Sequence, residues 1–555
     1  MGGLIGLFAP GAAARAGGDP ERLSEAEAFR GERRSWTGDG ALVTAYRWPW
    51  EPSALASDGR LVVAIQGELF LPGGRGGAEA LLERLRASGT RGLSGLDGEF
   101  AGLAWDVQTR ELTLFRDAFG TRPLFFAESG GALGVGTEIR QAARAAGVPL
   151  RADRRAASRE AAGIPTTGRE TLWSGISRVL PSEVLRFGGR GRESAALWEI
   201  PAVTGSRRAG SEVARELPAA LRRAAGRRGG RQVLLLSGGL DSTAIAAAAP
   251  DRFSCALTIS YPGFECDDTG RARSVAERTG IAHEALDVLG WGPVRCLAET
   301  RRDCDQPPGM TAYQVRPAME RVRQLGGEVA VLGLGGDDFF LPSAAALADV
   351  LPREGPVAAL RAVTALVRGN REGRIPLRPV ARHAWSSVLA PLVRHALAPA
   401  FDTGRRPPLL GAWDPRGERE RWRDVSTGWW IALGVLARAW SGSAREVLEQ
   451  LSARAGVGLA FPFFDREVAL LATSARADVV LGPRRRKELL AGAFRELLPA
   501  RIVDDWRGPL APEPAVREVL RHVAAPPDAG EAALGRAVRA WREMALRSCL
   551  AGQEE

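Results

Sequence analysis

Across the first 200 residues, short apolar runs alternate with turn-forming residues. LVVAIQGELF (61–70), FAGLAWDV (100–107), ELTLFRD (111–117), PLFFAES (123–129) and GALGVGTE (131–138) are separated by Gly, Asp and Thr. Such runs predict strands, and their number predicts a β-rich or layered α+β domain. One segment there, AEALLERLRASG (78–89), repeats its apolar positions at the helical period and stops at a glycine, which predicts a helix.

A Gly/Ser/Arg-rich stretch, TGSRRAGS (204–211), predicts a linker. Beyond it the texture changes. QVLLL runs into SGGLDS and then the helix former TAIAAAA; FSCALTIS is followed by the helical GRARSVAERTG, and later comes EVAVLGLGG. Continuous apolar strands alternating with amphipathic helices predict a doubly wound parallel sheet with both faces covered. From about residue 341 the pattern is mostly helical, with Arg- and Pro-rich loops, and Trp385, Trp413, Trp422, Trp429, Trp430 and Trp440 are expected to pack in cores. The expected organisation is therefore two domains, residues 1–205 and 206–555, without internal repeats.

Composition narrows the classes. With 45% hydrophobic and 25% charged residues the chain is of globular type. A net charge of +10 invites a polyanion, but the arginines are interleaved with acids, as in RGERERWRD, so no nucleic-acid partner is expected. The five cysteines form no C-x-x-C pair and the four histidines lie far apart, which indicates neither a zinc site nor a disulfide framework. The opening MGGLIGLFAPGAAARA lacks a basic segment before its short apolar run, and no apolar run reaches the ~18 residues of a membrane span. A cytoplasmic protein is expected, with no membrane partner.

Candidate chemistry lies in three places. In VLLLSGGLDST, residues Ser237, Gly238, Gly239, Leu240, Asp241 and Ser242 join a strand to a helix start. Two glycines allow close backbone approach, and the amides of a helix N-terminus face an anion with the dipole behind them, which predicts a phosphate cradle. The spacing is neither that of a P-loop nor G-x-G-x-x-G. Asp241 would repel phosphate directly and is read as a Mg²⁺ ligand. A second acidic site, VLGLGGDDFF, brings Asp337 and Asp338 after another strand and its glycines. Carboxylates at the ends of neighbouring strands could hold magnesium on pyrophosphate jointly. Third, Lys487 in GPRRRKELLAGAF is the single lysine among 75 basic residues. A compact, rotatable ammonium can serve a small developing oxyanion where a planar guanidinium would not fit.

SGGLDS resembles the pyrophosphate loop of adenylating enzymes such as asparagine synthetase and GMP synthetase, which cleave ATP between the α and β phosphates. The resemblance to asparagine synthetases extends to ECDDTGRARSVAERTGIAHE, DQPPGMTAY, FPFFDREV and KELLAGAFRELLP, and in the first half to QGELF, LSGLDGEFAGLAWD, RDAFGTRPLFF and LWSGISRVLPSEVLRF. It implies a glutaminase-like layered β-sandwich domain followed by a PP-loop ATP pyrophosphatase domain with a helical C-terminal part. It further implies ATP and Mg²⁺ as cofactors, Asp337 as the second metal ligand, and Lys487 as the catalytic lysine, stabilising the tetrahedral intermediate and the departing adenylate.

Two departures from the family pattern matter. The glutaminase nucleophile of M-C-G-I is absent, because the chain reads Met1-Gly2-Gly3-Leu4, and Gln66 stands at the oxyanion-hole asparagine. Without a thiol no thioester forms. The position between the glycines before Asp337, a glutamate in asparagine synthetases and a tyrosine in β-lactam synthetases, is Leu334, which accepts no proton. A peptide α-amine, with pKa about 7.7–8.0, needs little help from a base. With a glutaminase-like half lacking the cysteine and an intact adenylating half, the chain resembles lasso peptide cyclases, and the resemblance implies an activity that joins an Asp or Glu side chain of a core peptide to the peptide's own N-terminal amine. A precursor peptide, a leader peptidase and a leader-recognition protein are the expected partners. The competing readings are an ammonia-dependent asparagine synthetase, a β-lactam synthetase, a tRNA-modifying adenylating enzyme and a non-catalytic scaffold.

Overall fold

The computed structural model describes residues 2–9, 31–38, 40–162, 166, 168–189, 191–198, 208–340, 440–475, 487–498, 500–504, 513–523 and 531–551. Its first part is two antiparallel sheets stacked face to face. One runs β11-β9-β10-β1-β3-β2, built from β1 (Gly3–Phe8), β2 (Glu32–Gly38), β3 (Ala41–Arg47), β9 (Phe125–Ser129), β10 (Ala132–Gly136) and β11 (Ile176–Arg178). The other runs β13-β12-β8-β7-β5-β4, with β6 also on β5. Its strands are β4 (Leu55–Ser57), β5 (Leu61–Leu71), β6 (Gly74–Gly76), β7 (Gly98–Asp106), β8 (Glu111–Arg116), β12 (Glu183–Gly188) and β13 (Gly191–Ala196).

The period of two explains the layering. Along β5, Val62 and Ala64 enter the core between the sheets with Val43, Leu103 and Phe126. Val63 and Ile65 point the other way, onto Leu81, Leu82 and Leu85 of the predicted helix Ala78–Ser88. The outer face of the first sheet is covered by the helix Ile139–Ala146, through Ile139, Ala142 and Ala143 on Phe125 and Ala127. The sequence pattern did not predict that helix, nor the helix Arg154–Ala161. Its signal was local: Glu138 and Gln141 form a reciprocal capping box, and Gly147 closes the helix in the left-handed conformation.

The second part is a five-stranded parallel sheet, as the alternating pattern predicts, in the order β16-β15-β14-β17-β18. Its strands are β14 (Gln232–Leu235), β15 (Phe253–Ser260), β16 (His283–Asp287), β17 (Val329–Val331) and β18 (Gly458–Ala460). From β14 the chain winds to β15 and β16 on one side and to β17 and β18 on the other, so the order reverses beside β14. Ligands of open α/β sheets bind in the crevice at such a switch point. The loops leaving β14 and its neighbour β17 carry the two acidic motifs.

The predicted linker is shorter than the sequence suggested. Arg208 forms a β-bridge with Ala475, and Gly210 and Ser211 already belong to the helix Gly210–Arg227. The boundary expected at 205/206, and Trp385, Trp413, Trp422, Trp429 and Trp430, lie outside the described residues; Trp440 opens the helix Trp440–Ala455.

Buried charge joins the two parts. Arg122, wholly inaccessible, donates to Glu99 at 2.5 Å, to Glu449 and to the Leu459 carbonyl of β18 at 2.7 Å, while Glu99 accepts from Phe461 N at 3.1 Å. Arg178 donates to Glu446 at 2.6 Å and to Gln306 at 2.8 Å. Arg140 pairs with Asp305. Glu446 and Glu449 are buried on the helix Trp440–Ala455, which a solvent-facing reading of charged positions would have placed outside.

Candidate active site

The loop after β14 is shaped by its own serines. Ser242 Oγ accepts from Ser237 N at 3.1 Å and lies 3.1 Å from Ser237 Oγ, which in turn accepts from Gly239 N at 3.3 Å. The two hydroxyls therefore hold the turn in shape. Gly238 has φ +73°, and a Cβ there would sit 3.1 Å from the Asp268 backbone oxygen, so glycine is required twice over. The helix Leu240–Ala248 follows, with Thr243 N on Gly239 O as its first bond. Its first-turn amides at Leu240, Asp241 and Ser242 have no intrahelical acceptor and are left for an anion. The Leu240 side chain points into the core.

Asp241 faces the loop after β17. A Cβ on Gly336 would lie 2.3 Å from Asp241 Cγ, and one on Gly333 would lie 2.9 Å from Ser242 N, so both glycines permit the two acidic loops to touch. Between the loops stands Lys487. Its Nζ is 2.6 and 2.5 Å from the two Asp241 carboxylate oxygens and 2.6 Å from Asp337 Oδ1. The lysine side chain is 3% exposed, whereas Asp337 is 55% exposed and forms the open side of the cluster.

Lys487 sits immediately before the helix Glu488–Phe494 with φ +58°, one of three non-glycine residues with positive φ among the described residues. A left-handed lysine costs ~1–2 kcal/mol, and such strain persists where surrounding structure fixes it, commonly at functional sites. Here the anchors are Leu489, Leu490, Ala491 and Phe494, all in the core of the second part.

Charge is unbalanced at this point. Burial pushes the Asp241 carboxyl up to about 6, against the pull of Lys487 and with Asp337 and Asp338 adding to the rise. Burial likewise raises Asp338, opposed chiefly by Arg445. Two carboxylates thus contact the ammonium, with Asp338 and Arg445 adding their charges nearby, and hard oxygen donors of this kind suit a Mg²⁺ ion. Asp338 belongs to the predicted second acidic motif, whereas Arg445 was absent from the predicted site. Nothing local marks Arg445, which lies inside the helix Trp440–Ala455 with its guanidinium carbon 4.7 Å from the Phe464 ring centre.

In the first part, Gly2 is buried and its N donates to Glu51 Oε2 at 3.1 Å. A Cβ there would stand 1.9 Å from the Tyr46 carbonyl oxygen, so the position has no room for a side chain. Gln66 is buried on β5. Among the described residues no helix is long and apolar enough to cross a membrane.

Two family models match the chain. The glutamine amidotransferase domain family matches residues 72–198. Proteins named as glutamine-hydrolysing asparagine synthetases in Mycobacterium bovis and Mycobacterium tuberculosis are 30% identical over 294 residues, covering 49% of this chain and 44% of theirs. The aligned region is thus less than half the length of those relatives. Among solved structures, an allosteric regulatory enzyme of purine biosynthesis is 15% identical with a TM-score of 0.26, covering 60% of this chain and 74% of that one. The glutamine phosphoribosylpyrophosphate amidotransferase of B. subtilis is 14% identical with a TM-score of 0.25, covering 60% and 81%. The asparagine synthase family model matches residues 212–527, more than half of the chain and all of the Lys487, Asp241 and Asp337 cluster, and the protein belongs to the asparagine synthase family.

Proposed function

We propose that this protein is an ATP-dependent macrolactam-forming peptide cyclase of the lasso type. The observation that carries the ligase reading is the buried Lys487 between Asp241 and Asp337, at the sheet's switch point and beside the SGGLDS turn. In this reading the turn and the first amides of the helix Leu240–Ala248 hold the β and γ phosphates of ATP. Asp241 and Asp337 would hold magnesium, with phosphate oxygens and water completing its shell, since no group of three protein ligands is assembled among the described residues. A bound ion would neutralise charge on the leaving pyrophosphate.

A substrate carboxylate attacks the α phosphorus, the bond to the β phosphate breaks, and pyrophosphate leaves. An amine then attacks the acyl carbon, AMP departs with the former carboxylate oxygen, and the amine gives up a proton. In this reading Lys487 donates to oxygens that gain charge in either step. Its three N–H donors rest on Asp241 and Asp337, so a developing oxyanion would take over one of those contacts.

The choice of a peptide α-amine rests on two features. Gly2 offers neither a thiol nor space for one, so glutamine is not the nitrogen source in this reading. Leu334, 39% exposed beside Asp337, provides no proton acceptor. An amine of pKa about 7.7–8.0 is partly neutral at pH 7, and positioning against an activated ester can supply roughly 7–11 kcal/mol. The core peptide is then the substrate, delivered by a leader peptidase and a leader-recognition protein, in the cytoplasm. The family match is equally compatible with an ammonia-dependent asparagine synthetase.

Mass spectrometry of candidate linear peptides incubated with the protein, ATP and Mg²⁺ tests the reading. The expected result is loss of one water from a cognate peptide, with AMP and pyrophosphate as products. Conversion of free aspartate and ammonia to asparagine, with every peptide left linear, would overturn it.

A further inference from the structure

We infer that Phe119, a residue of the amidotransferase-like part, is a positioning residue for the acidic helix of the adenylating site. That part would then act as a brace on the ATP site. The inference rests on the ligase reading above and adds a task for a domain whose own nucleophile is missing.

Among the described residues, Phe119 is the one numbered below 208 in the buried parallel-sheet core, with the partly buried Trp50, Ala118 and Trp198 packed against it. Its ring meets Phe339 edge-on, at 5.9 Å and 83°, and also touches Phe464 at 5.9 Å; Phe339 and Phe464 are 5.9 Å apart. Three rings from three distant segments therefore close one triangle. Phe339 belongs to the helix Gly336–Phe340, which carries Asp337 and Asp338. Five residues are too few for backbone hydrogen bonds to hold a helix in place, because nucleation is unfavourable and only tertiary packing compensates. The orientation of Asp337 toward Lys487 is accordingly set by what presses on Phe339 and Phe340.

The loop presenting Phe119 is tightly fixed. The Asp117 carboxylate accepts from Phe119 N at 3.0 Å, from Thr121 N at 2.9 Å and from Thr121 Oγ1 at 2.7 Å. Arg116 donates to the carbonyls of Gly120 at 2.7 Å, Arg122 at 2.7 Å and Val179 at 2.6 Å. Three residues after Phe119, Arg122 grips Glu449 and the Leu459 carbonyl, so the loop is held to the second part as well as to the first. A rigid loop that ends in a ring against Phe339 transmits position. Loose apolar filling would not need such anchoring.

The test is calorimetric binding of the non-cleavable analogue α,β-methylene ATP, with and without Mg²⁺, to the full chain carrying Phe119→Ala, Phe119→Met or Arg140→Gln. Arg140 pairs with Asp305 across the same interface without touching the ring triangle, so its variant reports on domain docking alone. Phe119→Ala is expected to lower the Mg²⁺-dependent gain in nucleotide affinity about tenfold or more, as displacement of a positioned group by ~1 Å does, while Mg²⁺-free binding is unchanged. Phe119→Met, which refills most of the volume, should stay within about twofold of the parent. Arg140→Gln should lower the melting temperature and leave the Mg²⁺ gain intact. A folded Phe119→Ala protein with the parent's Mg²⁺ gain would overturn the inference, as would an equal loss in Arg140→Gln. Should Phe119→Ala not fold, the smaller side chain of Phe119→Val takes its place with the same criterion. Failure of the parent itself to bind the Mg²⁺ nucleotide would instead sink the ligase reading.

Discussion

Lys487 and Asp241 stand 246 positions apart in the chain, yet the lysine Nζ lies within 2.6 Å of both carboxylate oxygens, beneath the surface. A rotatable ammonium reaches Asp241 and Asp337 together; a guanidinium of greater width would have to displace one of them. Lys487→Arg is therefore expected to lose turnover along with Lys487→Met, each by about 100-fold or more. ATP–pyrophosphate exchange with an accepted carboxylate substrate measures this. Arginine at 487 supporting near-parental exchange would remove the assignment.

Restoring the family's nucleophile should fail. Gly2→Cys brings a Cβ to 1.9 Å from the Tyr46 carbonyl oxygen, so β1 or β3 must shift, at roughly 1–3 kcal/mol. The expected outcome is a lower melting temperature and no release of glutamate from glutamine. Glutamate release by this variant would show that the first part keeps a working glutaminase frame.

Arg122 is a costly charge to remove at the interface. Arg122→Met leaves Glu99 and Glu449 buried without the cation between them, and breaking a buried pair from one side typically costs ~3–5 kcal/mol. Urea unfolding should reveal that loss. Because the pair bridges the two parts, their unfolding is expected to separate into two transitions, which two spectroscopic probes would detect as non-coincident curves.

Stability should fall as pH rises from about 4 to about 6. Burial raises Asp465 from 3.8 to about 6, despite Arg227 at 2.9 Å, and Asp241 shifts the same way for the same main reason. Within that window the folded protein keeps protons that the unfolded chain has released, so the unfolding free energy declines with pH and levels off above 6. Asp58 works in the opposite sense: amides of Leu61 and Arg60 and the Arg86 guanidinium hold it at about 2, a contribution lost as pH drops below 3.8. Asp465→Asn should flatten part of the slope between pH 4 and 6. An unchanged slope in that variant would show that the Asp465 carboxyl does not titrate there.

The motifs legible in the sequence are those whose function is local. SGGLDS could be placed between a strand and a helix because apolar run, glycines and helix former follow one another within a dozen residues. Lys487 stood out because it has no rival in the chain. The strands β5, β7, β8, β9 and β10 were likewise legible from their alternation. The helix Ile139–Ala146 was not, since its eight residues give little periodicity and its capping box was the stronger sign.

What the sequence by itself determined is the set of local backbone shapes and the residue types able to handle a nucleotide. Which of them meet was decided by the tertiary structure. Sheet order sets β14 beside β17 and thereby Asp241 beside Asp337, and packing of the helix Glu488–Phe494 into the core delivers Lys487 to both. Arg122, Glu99, Glu449 and Arg445 look like ordinary surface charges in the sequence, because burial depends on what the other half of the chain lays over them. The same holds for Phe119, whose position beneath the acidic helix follows from docking between two parts and from no pattern within either.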